Sequence, residues 1–157
     1  MSKKIAVIGI GNTLRRDDGI GIIVLESLLK FYKRKDIDYF NFGIASFDLL
    51  QKIRSYDSVL LIDGFNADLP VGELKIFELG DIEYKPVIAA SSTHELNLKS
   101  IFEISKNLDL KTRIYVAGIQ VEDTSYGEGL SNILRNTKED IVKKVSAFID
   151  DTLCFLH

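Results

Sequence analysis

The sequence predicts an α/β protein, a three-layer αβα sandwich on a mainly parallel sheet of about five strands. Two observations carry this reading. Residues 5–10 (Ile-Ala-Val-Ile-Gly-Ile) and 58–63 (Ser-Val-Leu-Leu-Ile-Asp) are short, nearly continuous apolar runs, the pattern of strands buried on both faces. Stretches with helical periodicity alternate with these and with further strand-like runs, and that alternation implies crossover connections and a parallel sheet.

Taken in order, the first run ends at Gly11 and a polar loop, 12–18, leads to a helix over 20–31. Ile20, Ile23, Val24, Leu28 and Phe31 recur there with helical spacing, and Asp17 or Asp18 is available as the N-cap. The aromatic stretch 38–43 suits a second strand, 47–53 a brief helix, and 58–63 the third strand. Pro70 and Gly72 mark 66–72 as a loop, and the alternation of Leu74, Ile76 and Leu79 predicts an exposed edge strand over 73–79, of undetermined direction. Ser92 or Thr93 can cap a helix over 94–108, which puts His94 in its first turn. Another strand follows at 111–118, and 130–155 is mostly helical, with Ile133, Ile141, Val145, Phe148 and Ile149 on its apolar side.

The 157 residues, 46% hydrophobic and 27% charged, suffice for one domain spanning 1–157 and exclude a disordered or low-complexity chain. A net charge of -3, from 20 basic and 23 acidic residues, argues against nucleic-acid tracking and polybasic membrane binding. The apolar start is too short for a signal segment or a membrane span, so a cytoplasmic protein is expected. Cys154 is the only cysteine, which rules out an internal disulfide and a multi-thiolate metal site; it reads as a packed thiol with no catalytic role. Of two histidines, His157 is the last residue, so histidine chemistry falls to His94.

In open α/β sheets, ligands collect beyond the carboxyl ends of the strands. That rule selects the loop after the first strand with Asp17 and Asp18, Asp63 at the end of the third strand, and His94 at the head of the third helix. Gly9-Ile10-Gly11 begins like a dinucleotide fingerprint. However, Leu14 stands where the third glycine should be, and no Lys-Ser/Thr pair supports a phosphate loop. Adjacent acids would also repel phosphate at a helix start. Two carboxylates and an imidazole are instead a plausible set for a divalent ion such as zinc or nickel, with open positions left for water or substrate. Each residue also has a purely structural alternative: an N-cap for one of the acid pair, a loop-amide acceptor for Asp63, a capping-turn residue for His94. Ser91 and Ser92 lack a nucleophile-elbow context.

The segment 9–21, Gly-Ile-Gly-Asn-Thr-Leu-Arg-Arg-Asp-Asp-Gly-Ile-Gly, resembles the N-terminal signature of the hydrogenase maturation proteases: Gly-x-Gly-Asn-x-Leu, two variable residues, an acid pair, then Gly-x-Gly. The likeness continues with an aspartate ending an apolar strand and a histidine in a Ser/Thr-x-His context, and Asp18, Asp63 and His94 occupy these positions. The resemblance implies a cytoplasmic endopeptidase, a monomer, that removes a C-terminal extension from the precursor of a nickel-iron hydrogenase large subunit after nickel insertion. It further implies that Asp18, Asp63 and His94 are both the catalytic set and the ligands that recognise a divalent metal, nickel presented by the precursor. Two loop positions depart from the pattern: Gly43-Ile44-Ala45-Ser46 replaces a Gly-Thr-x-Gly loop, and Val121 replaces a proline. A metal-binding or metallochaperone module without enzymatic activity would use the same ligands and cut nothing.

Overall fold

The apolar runs become the centre of one sheet because each of their residues can be buried on either side of it. The computed structural model describes residues 2–44, 47–81, 83 and 98–155. β1 (Ile5–Ile10) is followed by a single 3-10 turn, Arg16–Gly19, and α1 (Ile20–Phe31); β2 (Ile37–Gly43), α2 (Phe47–Arg54), β3 (Ser58–Phe65) and β4 (Leu74–Glu78) come next. The chain continues with α3 (Leu98–Asn107), β5 (Arg113–Gln120), α4 (Asn132–Phe148) and a π-helical turn, Ile149–Leu153. The strands of the described residues lie in the order β2-β1-β3-β5-β4. All neighbouring pairs are parallel except β4, which runs antiparallel to β5 at the edge.

Two apolar layers cover the sheet, as a three-layer sandwich requires. On one face Val7, Leu60, Ile62 and Ala117 pack with Val24, Leu25 and Leu28 of α1 and with Ile141 and Val145 of α4. On the other, Ile8, Val59, Leu61 and Val116 meet Leu49 and Ile53 of α2 and Leu98 and Ile101 of α3. Successive strand residues alternate between the two clusters, the period-2 rule acting on a sheet buried on both sides.

Several expectations are corrected in detail. Neither acid of the pair caps α1: Gly19 occupies the cap position, and Asp17 and Asp18 lie in the 3-10 turn before it. Phe31 and Ile133 are exposed although their spacing suits the apolar faces; both sit near helix ends, Phe31 as the last residue of α1 and Ile133 as the second of α4. β3 extends two residues beyond Asp63, and β5 runs to Gln120, two residues beyond Gly118. The last helix widens into a π turn, with the Cys154 amide donating to the Ile149 carbonyl at 2.9 Å. The expected start of the third helix, His94 included, lies outside the described residues.

Candidate functional site

The chain leaves β1 to build β2 on one side, then returns to build β3 on the other, so the sheet's topological switch point lies between β1 and β3. Loops diverge at such a point and leave a crevice above the strand ends. β1 and β3 stay paired up to Gly9 and Ile62, and Asp63 is the next residue, paired only with Gly118 of β5. Asp63 therefore stands at the carboxyl end of β3 beside the switch point, 3% exposed. By alternation it belongs with Val59, Leu61 and Phe65 on the face covered by α2 and α3.

The glycines of segment 9–21 draw α1 down onto these strand ends. A Cβ on Gly21 would lie 2.3 Å from the carbonyl oxygens of both Ile10 and Ile62, so only glycine lets the first turn of α1 sit across β1 and β3. This is the close helix-to-strand approach that the third glycine of a dinucleotide loop provides, displaced here by a longer loop. Leu14, at the fingerprint position, is 62% exposed and packs no helix against the sheet. Gly11, at φ +149°, takes a backbone conformation closed to other residues, and a Cβ there would fall 2.2 Å from the Asp18 carbonyl oxygen.

The two neighbouring acids have different surroundings. Asp18, 7% exposed, accepts the Asn12 amide at its Oδ2 (3.1 Å), while its main-chain oxygen accepts the same amide at 3.2 Å. Asp17 is fully buried and its carboxylate is filled by main-chain donors: Glu122 and Asp123 amides at Oδ2, 3.0 Å each, and the Ser131 amide at Oδ1, 2.7 Å. Burying an ionised carboxylate is costly unless hydrogen bonds compensate it, and three amide donors do so. Asp17 thus anchors the loop after β5, and the pair divides into one residue holding the loop and one tied to the turn after β1.

That loop and the turn after β1 are knitted together. The Arg16 amide donates to the Gly127 carbonyl at 3.1 Å, the Gly127 amide to the Leu14 carbonyl at 2.9 Å, and Arg15 Nε to the Thr124 carbonyl at 3.0 Å. The Arg15 guanidinium lies 5.5 Å from the centre of the Tyr126 ring, which is 82% exposed. Arg16 approaches Asp123 at 3.7 Å. Ser125 bonds, with a smaller contribution from Arg16, hold the Asp123 carboxyl below its usual range. Since β1 and β5 flank β3, the joined loops meet above its end: a Cβ on Gly64 would touch Val121 at 2.8 Å, Ile20 at 3.1 Å and the Asp17 carbonyl at 3.4 Å.

Gln120 was outside the expected strand. Its Oε1 accepts the amides of Ala67 (2.8 Å) and Leu69 (3.3 Å), and its Nε2 donates to the Asn66 side chain (3.2 Å) and the Val121 carbonyl (2.9 Å). It fixes the loop leaving β3. A polar residue just past an apolar run is the signal that the carboxyl-end rule could have used.

Asp18 and Asp63 thus both lie at the carboxyl-end side of the central strands, and α3, which begins four residues after His94 in the sequence, covers the face to which Asp63 belongs. Carboxylates and an imidazole suit zinc or nickel; among the described residues, no three potential ligands already form a cluster. The hydrogenase maturation protease family matches residues 22–147, a span that includes Asp63 and His94. The chain belongs to this family. A protein of Methanocaldococcus jannaschii assigned to the hydrogenase maturation proteases is 32% identical over 128 residues, 75% of this chain and 72% of its own. The hydrogenase expression/formation protein HoxM of Cupriavidus necator is 23% identical over 143 residues, covering 89% and 71%. Among solved structures, the hydrogenase maturating endopeptidase HybD of E. coli superposes with a TM-score of 0.81 at 22% identity, over 95% of this chain and 93% of that one. The [NiFe] hydrogenase maturation protease HycI of Thermococcus kodakarensis gives 0.73 at 25% identity, over 94% and 93%. This maturation protease is therefore a hydrolase, an endopeptidase of hydrogenase maturation, and no helix among its described residues is long and apolar enough to cross a membrane.

Proposed function

We propose that this maturation protease removes a C-terminal extension from the precursor of a nickel-iron hydrogenase large subunit after nickel insertion, acting as a cytoplasmic monomer. The observation that carries the reading is the pair of buried carboxylates, Asp18 and Asp63, at the carboxyl-end side of the central strands of a chain in the hydrogenase maturation protease family. With His94 they form a ligand set without thiolates. Such a set binds a free ion only moderately but can complete the coordination of nickel that the precursor already holds. The metal is then part of the substrate, and its presence licenses the cut.

Hydrolysis needs a water whose oxygen attacks the scissile carbonyl and whose proton passes to a base, with the departing amine protonated as the C–N bond breaks. Asp18 and Asp63 are the two candidate bases. Asp18 is tied to the main chain at Asn12, which holds its carboxylate in place as charge develops.

The test is mass spectrometry of nickel-loaded and nickel-free large-subunit precursor, each incubated with this protein. The expected result is loss of a C-terminal peptide from the loaded form alone. Full cleavage of the loaded form by both Asp18→Ala and His94→Ala variants would overturn the assignment of the site.

A further inference from the structure

Asp17 is fully buried beside a residue assigned to the chemistry, and the proposed reaction does not use it. Its bonds reach far along the chain: the carboxylate accepts amides 105, 106 and 114 positions away, and its own amide donates to the Asp123 carbonyl at 2.9 Å. The residue before it, Arg16, is held at φ +44°, a left-handed conformation that is unfavourable for a side-chain-bearing residue and persists only where its surroundings impose it. They do so here, since Arg16 donates to Gly127 and Asp17 to Asp123. Asp18 follows directly: its amide donates to the Arg15 carbonyl at 3.0 Å, and its carboxylate and carbonyl share the Asn12 amide. The Asp18 position is thus set by a turn that Asp17 closes against the loop 122–131.

We infer that Asp17 is a positioning residue for the peptidase reaction: by latching loop 122–131 onto the Arg16–Gly19 turn it sets the place of the Asp18 carboxylate. This rests on the role given to Asp18 above. Every donor to the Asp17 side chain is a main-chain amide, so only a group with two acceptor oxygens serves all of them. Asparagine, of nearly the same size, would turn an NH2 toward at least one amide.

Two variants of the full chain test the latch from its two sides. Asp17→Asn removes the acceptor. Ser131→Pro removes one donor and leaves the carboxylate intact; Ser131 has φ −57°, within proline's range, and its side chain makes no cap bond. Native-state hydrogen exchange is expected to rise together in 12–18 and 122–131, by about tenfold or more, with the sheet unaffected. On nickel-loaded precursor, kcat is expected to fall up to about 100-fold for Asp17→Asn and about three- to tenfold for Ser131→Pro, with KM within about twofold, as for a misplaced catalytic group. A purely structural role would lower the melting temperature and leave kcat of the folded protein unchanged, overturning the inference. So would loosening confined to 122–131 with 12–18 still protected. If Asp17→Asn does not fold, Ser131→Pro decides alone. If the wild-type protein leaves the precursor intact, the proposed reaction fails, while exchange still decides the latch.

Discussion

The two ends of the sheet are built differently. At the amino end of the parallel strands, charged side chains are exposed: the Asp57 carboxylate accepts the Lys4 main-chain amide at 2.7 Å, Arg113 meets Glu78 at 3.1 Å and Lys111 lies near Asp109 at 3.5 Å. Pairs of this kind contribute little, since water and salt screen them. At the carboxyl end Asp17, Asp18 and Asp63 are all buried, the Asp17 carboxylate is held by main-chain amides, and glycines bring the backbones into contact. Buried charge is expensive, and among the described residues the buried carboxylates all lie at the carboxyl end, the end where the proposed chemistry takes place.

The sharpest way to break this comparison is to remove one carboxylate at each end. Asp18→Asn and Asp63→Asn are each expected to lower precursor processing by at least about 100-fold, the scale of a lost acid–base or ligand group, whereas Asp57→Asn leaves the rate unchanged. Loss of processing in Asp57→Asn, measured by the same mass-spectrometric assay, would mean that the distinction between the ends is false.

Stability separates the ends next. Gly21→Ala must push α1 away from two carbonyl oxygens that cannot rotate aside. The expected cost is about 3 kcal/mol, a fall of about 6–12 °C in melting temperature for a domain of this size. Gly43→Ala meets nothing within 4 Å and suffers only from φ +56°, about 1 kcal/mol. Equal losses in thermal unfolding would show that close packing at the switch point is not what the Gly21 position requires.

The smallest effect belongs to an exposed cluster just before β2, also at the amino end. Arg34 bonds Asp36 at 2.9 Å and Asp150 at 2.8 Å, and the Arg34 bond holds the Asp36 carboxyl below its usual 3.8. A lowered folded value contributes stability above the unfolded value and loses it as pH falls through the folded one. Asp36→Asn should therefore cost a few tenths of a kcal/mol at most at pH 7, after screening, and progressively less as the pH falls below the usual 3.8. A loss that grows on acidification would reverse the sign assigned to this contact.

Much of the architecture was legible in local pattern. Short, nearly continuous apolar runs suit strands buried on both faces, and alternation with helices favours the parallel sheet, so β1, β3 and the layers follow from 5–10 and 58–63. The edge strand was legible as an edge, but its antiparallel direction was not, because alternation is the same read either way. That Asp18 and Asp63 lie near strand ends was legible because each follows or closes an apolar run. The acid pair misled in one respect: acids before a helix suggest a cap, and here a 3-10 turn intervenes and Gly19 takes the cap.

The sequence by itself thus determined the fold class and the family signature, both set by side-chain period and short-range spacing. Only the tertiary structure decided the separate roles of Asp17 and Asp18. Adjacent identical residues carry no local signal that distinguishes them, and the amides that occupy Asp17 come from a loop more than a hundred positions away. The meaning of Gly21 was decided at the same level, because the carbonyls it must approach belong to Ile10 and Ile62 and become neighbours only when β1 and β3 pair.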